Sequence, residues 1–242
     1  MGRIMLRIYT KENFSRVFDH TGLDNDKALD YFERLCLEAK EYKFKMVAIN
    51  SSQTKLCADI LKDTDIGVGA AISFPLGQTT VDTKVYETEE AIQNGATEID
   101  YVVNIVEVKD NNWDYVKEEM QRIVEVCRKE NVISKVIFEN ALLKNKEIIQ
   151  LAKIAKIVQP DFVKTSTGKA KSGAKVEDIK LIKKHIGTEV KIKAAGGIRT
   201  FEAVLKMLEA GAERIGASQS IQIVNEFEAH LAENNISKIV IQ

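Results

Sequence analysis

Three ionisable side chains stand where short apolar runs give out: Asp100 in EIDYVVN, Lys164 in DFVKTS and Lys193 in KIKAAG. A lysine at the tip of a buried strand costs desolvation unless it is neutral, paired or bound. Lys164 is therefore either a side chain that reaches solvent or a chemical one. A lysine nucleophile must be neutral, and an ordinary pKa of about 10.4 leaves almost none of it neutral at pH 7. A second cation and a low-dielectric pocket both favour the free amine. Lys193 would supply that cation, and Asp100 could pass protons through water. Taken singly, each lysine is more simply a rim residue with its charge in water; three such groups at three strand ends are harder to read that way. Lys191 shares a strand face with Lys193 by alternation, and is expected to escape to solvent at the strand start.

An anion site is expected beside them. AAGGIRT follows the Lys193 run and enters a helical pattern, and RIGAS closes the next run. Glycines let backbone N–H groups approach an anion, and a helix N-terminus adds its dipole. The candidate contacts are Thr167, Lys169, Gly196, Gly197, Arg199, Gly216 and Ser218. A Gly-Gly turn alone is equally a tight loop; its place in the strand order gives it weight. STGKA is not a P-loop, because Val163 stands where Walker A needs glycine and Ala170 where it needs Ser or Thr.

These residues need a frame that brings strand ends together. Eight apolar, β-branched runs occur at 16–21, 45–50, 68–73, 98–104, 135–140, 161–166, 191–196 and 214–218. Between them lie amphipathic stretches such as DKALDYFERLCLEAKEYK, with apolar residues at helical spacing. Connections of that length make the strands parallel. The expected fold is a closed (β/α)8 TIM barrel with a short N-terminal extension, one domain over residues 1–242. AIQNGATEID and MLEAGAERIG both read helix, Gly-Ala, strand, which helix C-capping explains.

Composition removes other classes. The 35 basic and 36 acidic residues balance and are intermixed, so neither nucleic acid nor an anionic membrane is an expected partner. No run is long and apolar enough to span a bilayer, the amino terminus lacks a signal-peptide core, and Leu6 stands where a myristoylation signal following Gly2 needs Ser or Thr. Cys36, Cys57 and Cys127 are odd in number and far apart, which reads as buried thiols of a cytoplasmic protein. His20, His185 and His230 are too scattered for a metal site; His185 and His230 read as surface residues, while His20 could line the barrel mouth or buttress it.

The segments DHTGL, ISFPLG, GATEIDYVVN, KVIFEN, FVKTSTGK, KAAGGIRT and RIGAS together resemble deoxyribose-phosphate aldolase over nearly the whole chain. That resemblance implies a class I aldolase that cleaves 2-deoxyribose 5-phosphate through a lysine imine, without metal or organic cofactor. It implies Lys164 as the Schiff-base lysine, Lys193 as the partner that lowers its pKa and Asp100 as the proton-relay acid, with a homodimer as the assembly. Its small-molecule partners would be a phosphorylated sugar and aldehydes. The chain departs from the family at Gly22, Asp24, Ala48, Asn50, Ser51 and Gln219, and at its end. The departures at Gly22 and Gln219 bear on substrate preference, and Gly22 and Asp24 are expected to loosen the mouth. Ala48 removes a thiol that unsaturated aldehydes could alkylate. The alternatives are a Schiff-base aldolase for another phosphorylated sugar and a non-catalytic sugar-phosphate-binding barrel.

Overall fold

The computed structural model describes residues 6–241; Gly2, the rest of the first five residues and the terminal Gln242 lie outside the described residues. Strands and helices alternate in the order β1 (Arg7–Thr10), β2 (Phe18–Gly22), α1 (Leu29–Tyr42), β3 (Met46–Asn50), α2 (Thr54–Leu61), β4 (Gly67–Ile72), α3 (Val81–Gln93) and β5 (Glu98–Val102). Then follow α4 (Ile105–Lys109), α5 (Trp113–Lys129), β6 (Ile133–Ile137), α6 (Asn145–Val158), β7 (Phe162–Lys164), α7 (Val176–His185), β8 (Lys191–Ala195), α8 (Phe201–Ala210), β9 (Arg214–Ala217), α9 (Ser220–Glu233) and β10 (Lys238–Ile241).

Strands β2 to β9 are parallel and close in sequence order, with β2 paired to β9. The fold is a (β/α)8 TIM barrel. Each strand's outward side chains, such as Val47, Ile49, Tyr101, Val136 and Val163, pack under the helix ring in one continuous core. These outward positions supply the apolar half of each strand's alternation. All three cysteines are buried and unpaired in that packing. The Gly-Ala echo has its capping explanation: Gly95 and Gly211 follow α3 and α8 with φ of 97° and 114°, a conformation that β-carbons disfavour.

Several expected runs overreach their strands. Residues 14–17 form a 3-10 turn, so β2 starts at Phe18. Residues 103–104, 138–140 and 165–166 have already turned into mouth loops, although Val103 N–H still bonds Ile137 O and Phe138 N–H bonds Lys164 O. The N-terminal extension is itself a strand: β1 pairs antiparallel with β10, Arg7 opposite Ile241. The Arg7 guanidinium donates to Leu208 O and Ala212 O at the end of α8, fixing this ribbon to the barrel.

One ion pair is wholly buried in the helix layer. Lys84 on α3 meets Glu119 on α5 at 2.6 Å and also donates to Val102 O at the end of β5, while Glu119 accepts from Asn104 N–H. Both side chains are fully excluded from water, and burial drives Lys84 down and Glu119 up in pKa, each toward its neutral form. Removing one partner strands the other charge. Glu119→Ala is expected to cost about 3–5 kcal/mol, and the apolar double replacement Lys84→Met with Glu119→Leu to recover most of it. Urea unfolding of the three proteins measures both values.

Candidate active site

Parity and register assemble the site. β7 and β8 pair Lys164 with Lys193, β8 and β9 pair Lys193 with Arg214, and β5 and β6 pair Asp100 with Lys135. All five side chains enter the barrel, where Asp19 from β2 and Glu98 from β5 join them. Small neighbours leave the room. A β-carbon at Gly216 would lie 3.3 Å from Lys193 Cε, and one at Gly69 would overlap the Met46 side chain.

Asp100 is the hub. Its Oδ2 lies 2.9 Å from Lys164 Nζ and 2.7 Å from Lys193 Nζ, and its Oδ1 lies 2.7 Å from Lys135 Nζ. Asp100 thus contacts both lysines directly. Beneath it, Lys135 reaches Glu98 at 2.5 Å and Lys193 reaches Asp19 at 2.5 Å. Arg214 spans Asp19 and Glu98. Burial alone would raise Asp100, but Lys135, then Lys164 and Lys193, hold its carboxyl well below the usual range. Burial also opposes charge on Lys135, and Asp100, Glu98 and Asp19 overcome it, so its pKa rises.

Charge balance singles out one amine. The cluster holds four basic groups, Lys135, Lys164, Lys193 and Arg214, against three carboxylates, Asp19, Glu98 and Asp100. One proton must leave for the cluster to be neutral. Lys135 and Lys193 each contact two carboxylates, as does Arg214, whereas Lys164 contacts Asp100 alone. Burial lowers Lys164 to a pKa of about 8, with Asp100 opposing and Lys193 assisting.

The lowered value has a stability consequence. Between about pH 8 and the unfolded lysine value of about 10.4 the unfolded chain binds more protons, so this group's contribution to stability rises with pH across that window. Below it, the buried ammonium costs on the order of 3 kcal/mol. Lys164→Met is therefore expected to be the more stable protein at pH 7, by roughly 1–3 kcal/mol, with the gap closing toward pH 10. Melting curves of both proteins from pH 6 to 10 check this.

Above the lysines opens a cavity of about 280 Å³ lined by Lys164, Thr167, Lys169, Gly196, Gly197, Arg199, Gly216 and Ser218, with Thr21 and Asp24 adding polar groups and Leu23 and Ile198 apolar ones. All the residues singled out for phosphate thus border one space with Lys164. Gly196 and Gly197 hold φ of 85° and 74° in the turn that leads to α8, and a β-carbon at Gly173 would strike Gly196 O. Thr167 carries a qualification: its N–H and hydroxyl both donate to Glu139 Oε2 and its hydroxyl oxygen accepts from Lys169 N–H. Its donors are committed to the protein.

Lys191 is exposed, with its Nζ 5.7 Å over the Phe162 ring. His20 is buried, bonded to Glu38 at 2.9 Å and set against Phe44, so it buttresses the wall. His185 and His230 are partly exposed near helix ends. Gly22 does not open the mouth: its α-carbon faces α1, where a β-carbon would press on Tyr31 and Leu35. Gln219 is exposed before α9, outside the cavity wall. Sequence reasoning missed Asp19, Glu98, Lys135, Arg214 and Glu139. The available signal was period two, since Glu98 stands two residues before Asp100 on the same strand.

Residues 15–225 match the model of the DeoC/LacD family aldolases. The chain belongs to the DeoC/LacD aldolase family. Within that family it is 52% identical to a curated deoxyribose-phosphate aldolase of Lactobacillus acidophilus, across 96% of this chain and 98% of that one. It is 45% identical to the deoxyribose-phosphate aldolase of Caldicellulosiruptor saccharolyticus, across 90% and 99%. Among solved structures it superposes on the tetrameric deoxyribose phosphate aldolase of Aeropyrum pernix with a TM-score of 0.85 at 25% identity, covering 91% of this chain and 93% of that one.

Proposed function

We propose that this chain is a deoxyribose-phosphate aldolase, a lyase that reversibly cleaves 2-deoxy-D-ribose 5-phosphate to D-glyceraldehyde 3-phosphate and acetaldehyde, with Lys164 as its nucleophile. The observation that carries the reading is the unbalanced buried cluster, which favours a free amine on Lys164 at the floor of the cavity.

In this scheme the Lys164 amine adds to the aldehyde carbon of the open-chain sugar and expels water to give a protonated imine. The imine nitrogen withdraws electrons as the substrate's 3-hydroxyl loses its proton and the C2–C3 bond breaks. Glyceraldehyde 3-phosphate departs, the remaining enamine takes a proton at carbon, and water releases acetaldehyde and the free amine. Asp100, at hydrogen-bond distance from Lys164 and Lys193 and outside the cavity wall, relays protons to and from the substrate through water. Lys193 keeps the nucleophile's pKa low. The phosphate would lie against Gly196, Gly197 and Ser218, with Lys169 and Arg199 as cations. Thr167 holds that turn through Glu139. Gly216 leaves space for Lys193. No cofactor enters the scheme.

No helix among the described residues is long and apolar enough to cross a membrane. A cytoplasmic setting, a single domain over 1–242 and a homodimer belong to the same proposal. The test is a coupled assay for glyceraldehyde 3-phosphate with deoxyribose 5-phosphate beside a panel of other phosphorylated sugars. Preferred cleavage of deoxyribose 5-phosphate supports the reading; faster cleavage of another sugar phosphate, or of none by folded protein, contradicts it.

A further inference from the structure

Two cavities meet at the barrel mouth, and one ion pair stands between them. Beside the 280 Å³ cavity above Lys164 lies a second of about 470 Å³, bordered by Asn50, Gln53, Phe74 and Pro75. Leu23, Asp24 and Lys169 line both. Lys169 Nζ lies 2.7 Å from Asp24 Oδ1, joining the loop after β2 to the loop after β7 across the mouth. The other two charges of the β2 loop satisfy each other, Lys27 with Asp26 at 3.0 Å. Asp24 is thus the carboxylate that faces the anion-binding wall, and it holds a cation of that wall.

Such a carboxylate acts against a phosphate in two ways. It repels the dianion through space, and it occupies the ammonium that the phosphate would recruit. A substrate without a phosphate suffers neither effect. We propose that Asp24 is a specificity-determining residue: it competes with the substrate phosphate for Lys169, so it weakens selection for phosphorylated over unphosphorylated aldehydes. Binding of the phosphate transfers Lys169 from Asp24 and opens the partition between the two cavities. The proposal rests on the aldolase reading above for its substrates, and on the geometry of the mouth for the competition itself.

The side chains of Asp24 and Lys169 are 54% and 37% exposed, so solvent screens the pair and its effect is moderate. For Asp24→Asn the KM for deoxyribose 5-phosphate is expected to fall about two- to five-fold, the range an exposed pair supports, with kcat unchanged. The kinetic constants for unphosphorylated 2-deoxyribose should hold steady, so the ratio of the two kcat/KM values rises. Placed in a Lys169→Met background, the same substitution should gain less, because no ammonium is left to release. A rise in KM for the phosphorylated sugar would overturn the proposal by showing that Asp24 preorganises Lys169 for phosphate. Equal changes with both sugars would also overturn it, by making the pair a structural clasp only. Asp24→Ser serves as the second variant if the amide does not fold. Calorimetric titration of both proteins with inorganic phosphate separates this inference from the function: tighter phosphate binding by Asp24→Asn supports the competition even if no sugar is cleaved, and unaltered binding rejects it.

Discussion

Lys164→Met is expected to lower kcat for deoxyribose 5-phosphate cleavage by about 10⁴-fold or more, because no other group can form the covalent intermediate. The size follows from the surroundings. Lys193 lies near Lys164 in the barrel, yet it is locked between Asp19 and Asp100 at 2.5 and 2.7 Å and has no part in the cavity wall. Lys135 is deeper still, between Asp100 and Glu98. Neither can substitute as an attacking amine. Removing Lys164 leaves three basic groups facing three carboxylates, so the variant should fold and be inactive. Loss of activity with loss of fold would instead make Lys164 a structural residue, and circular dichroism alongside the coupled assay distinguishes the two results.

The second large effect concerns pH. In wild type, kcat/KM should rise with pH through about 8, as the Lys164 ammonium gives up its proton. Lys193→Met changes the balance: with Lys164 protonated, the cluster then has three cations for three carboxylates. The ammonium form becomes the neutralising one, and the Lys164 pKa should rise by roughly two units. At pH 7 the free amine then falls by about 10²-fold, and kcat/KM with it, while raising the pH toward 10 should restore much of the loss. Asp100→Asn has the opposite sign for the pKa, because it removes a carboxylate that favours the ammonium. A pH–rate profile for Lys193→Met with an unmoved midpoint would show that Lys193 acts by some route other than charge.

The residues proposed to react stood out in the sequence because they break a pattern. Asp100, Lys164 and Lys193 interrupt apolar runs, and Gly196 and Gly197 follow at once. The supporting charges broke no pattern. Glu98 and Arg214 open their strands, Lys135 opens its apolar run and Asp19 sits next to His20, where a polar residue ordinarily faces solvent beyond the sheet. Only closure of the barrel turns these charges inward together. The β1–β10 ribbon was hidden for a related reason, since Arg7 and Ile241 come from opposite ends of the chain and local periodicity carries no information about such a partner. Thr167 could be placed beside the cavity from its motif, but not its commitment to Glu139, because Glu139 reaches it from the end of another strand. Gly22 was misassigned to the mouth because strand parity alone decides which way it faces.

The most direct test of the central claim is intact mass and peptide mapping after sodium borohydride reduction in the presence of acetaldehyde. The account predicts one two-carbon adduct per chain, on the peptide containing Lys164, absent from Lys164→Met. An adduct on Lys193 or Lys135, or none on well-folded wild-type protein, would contradict it.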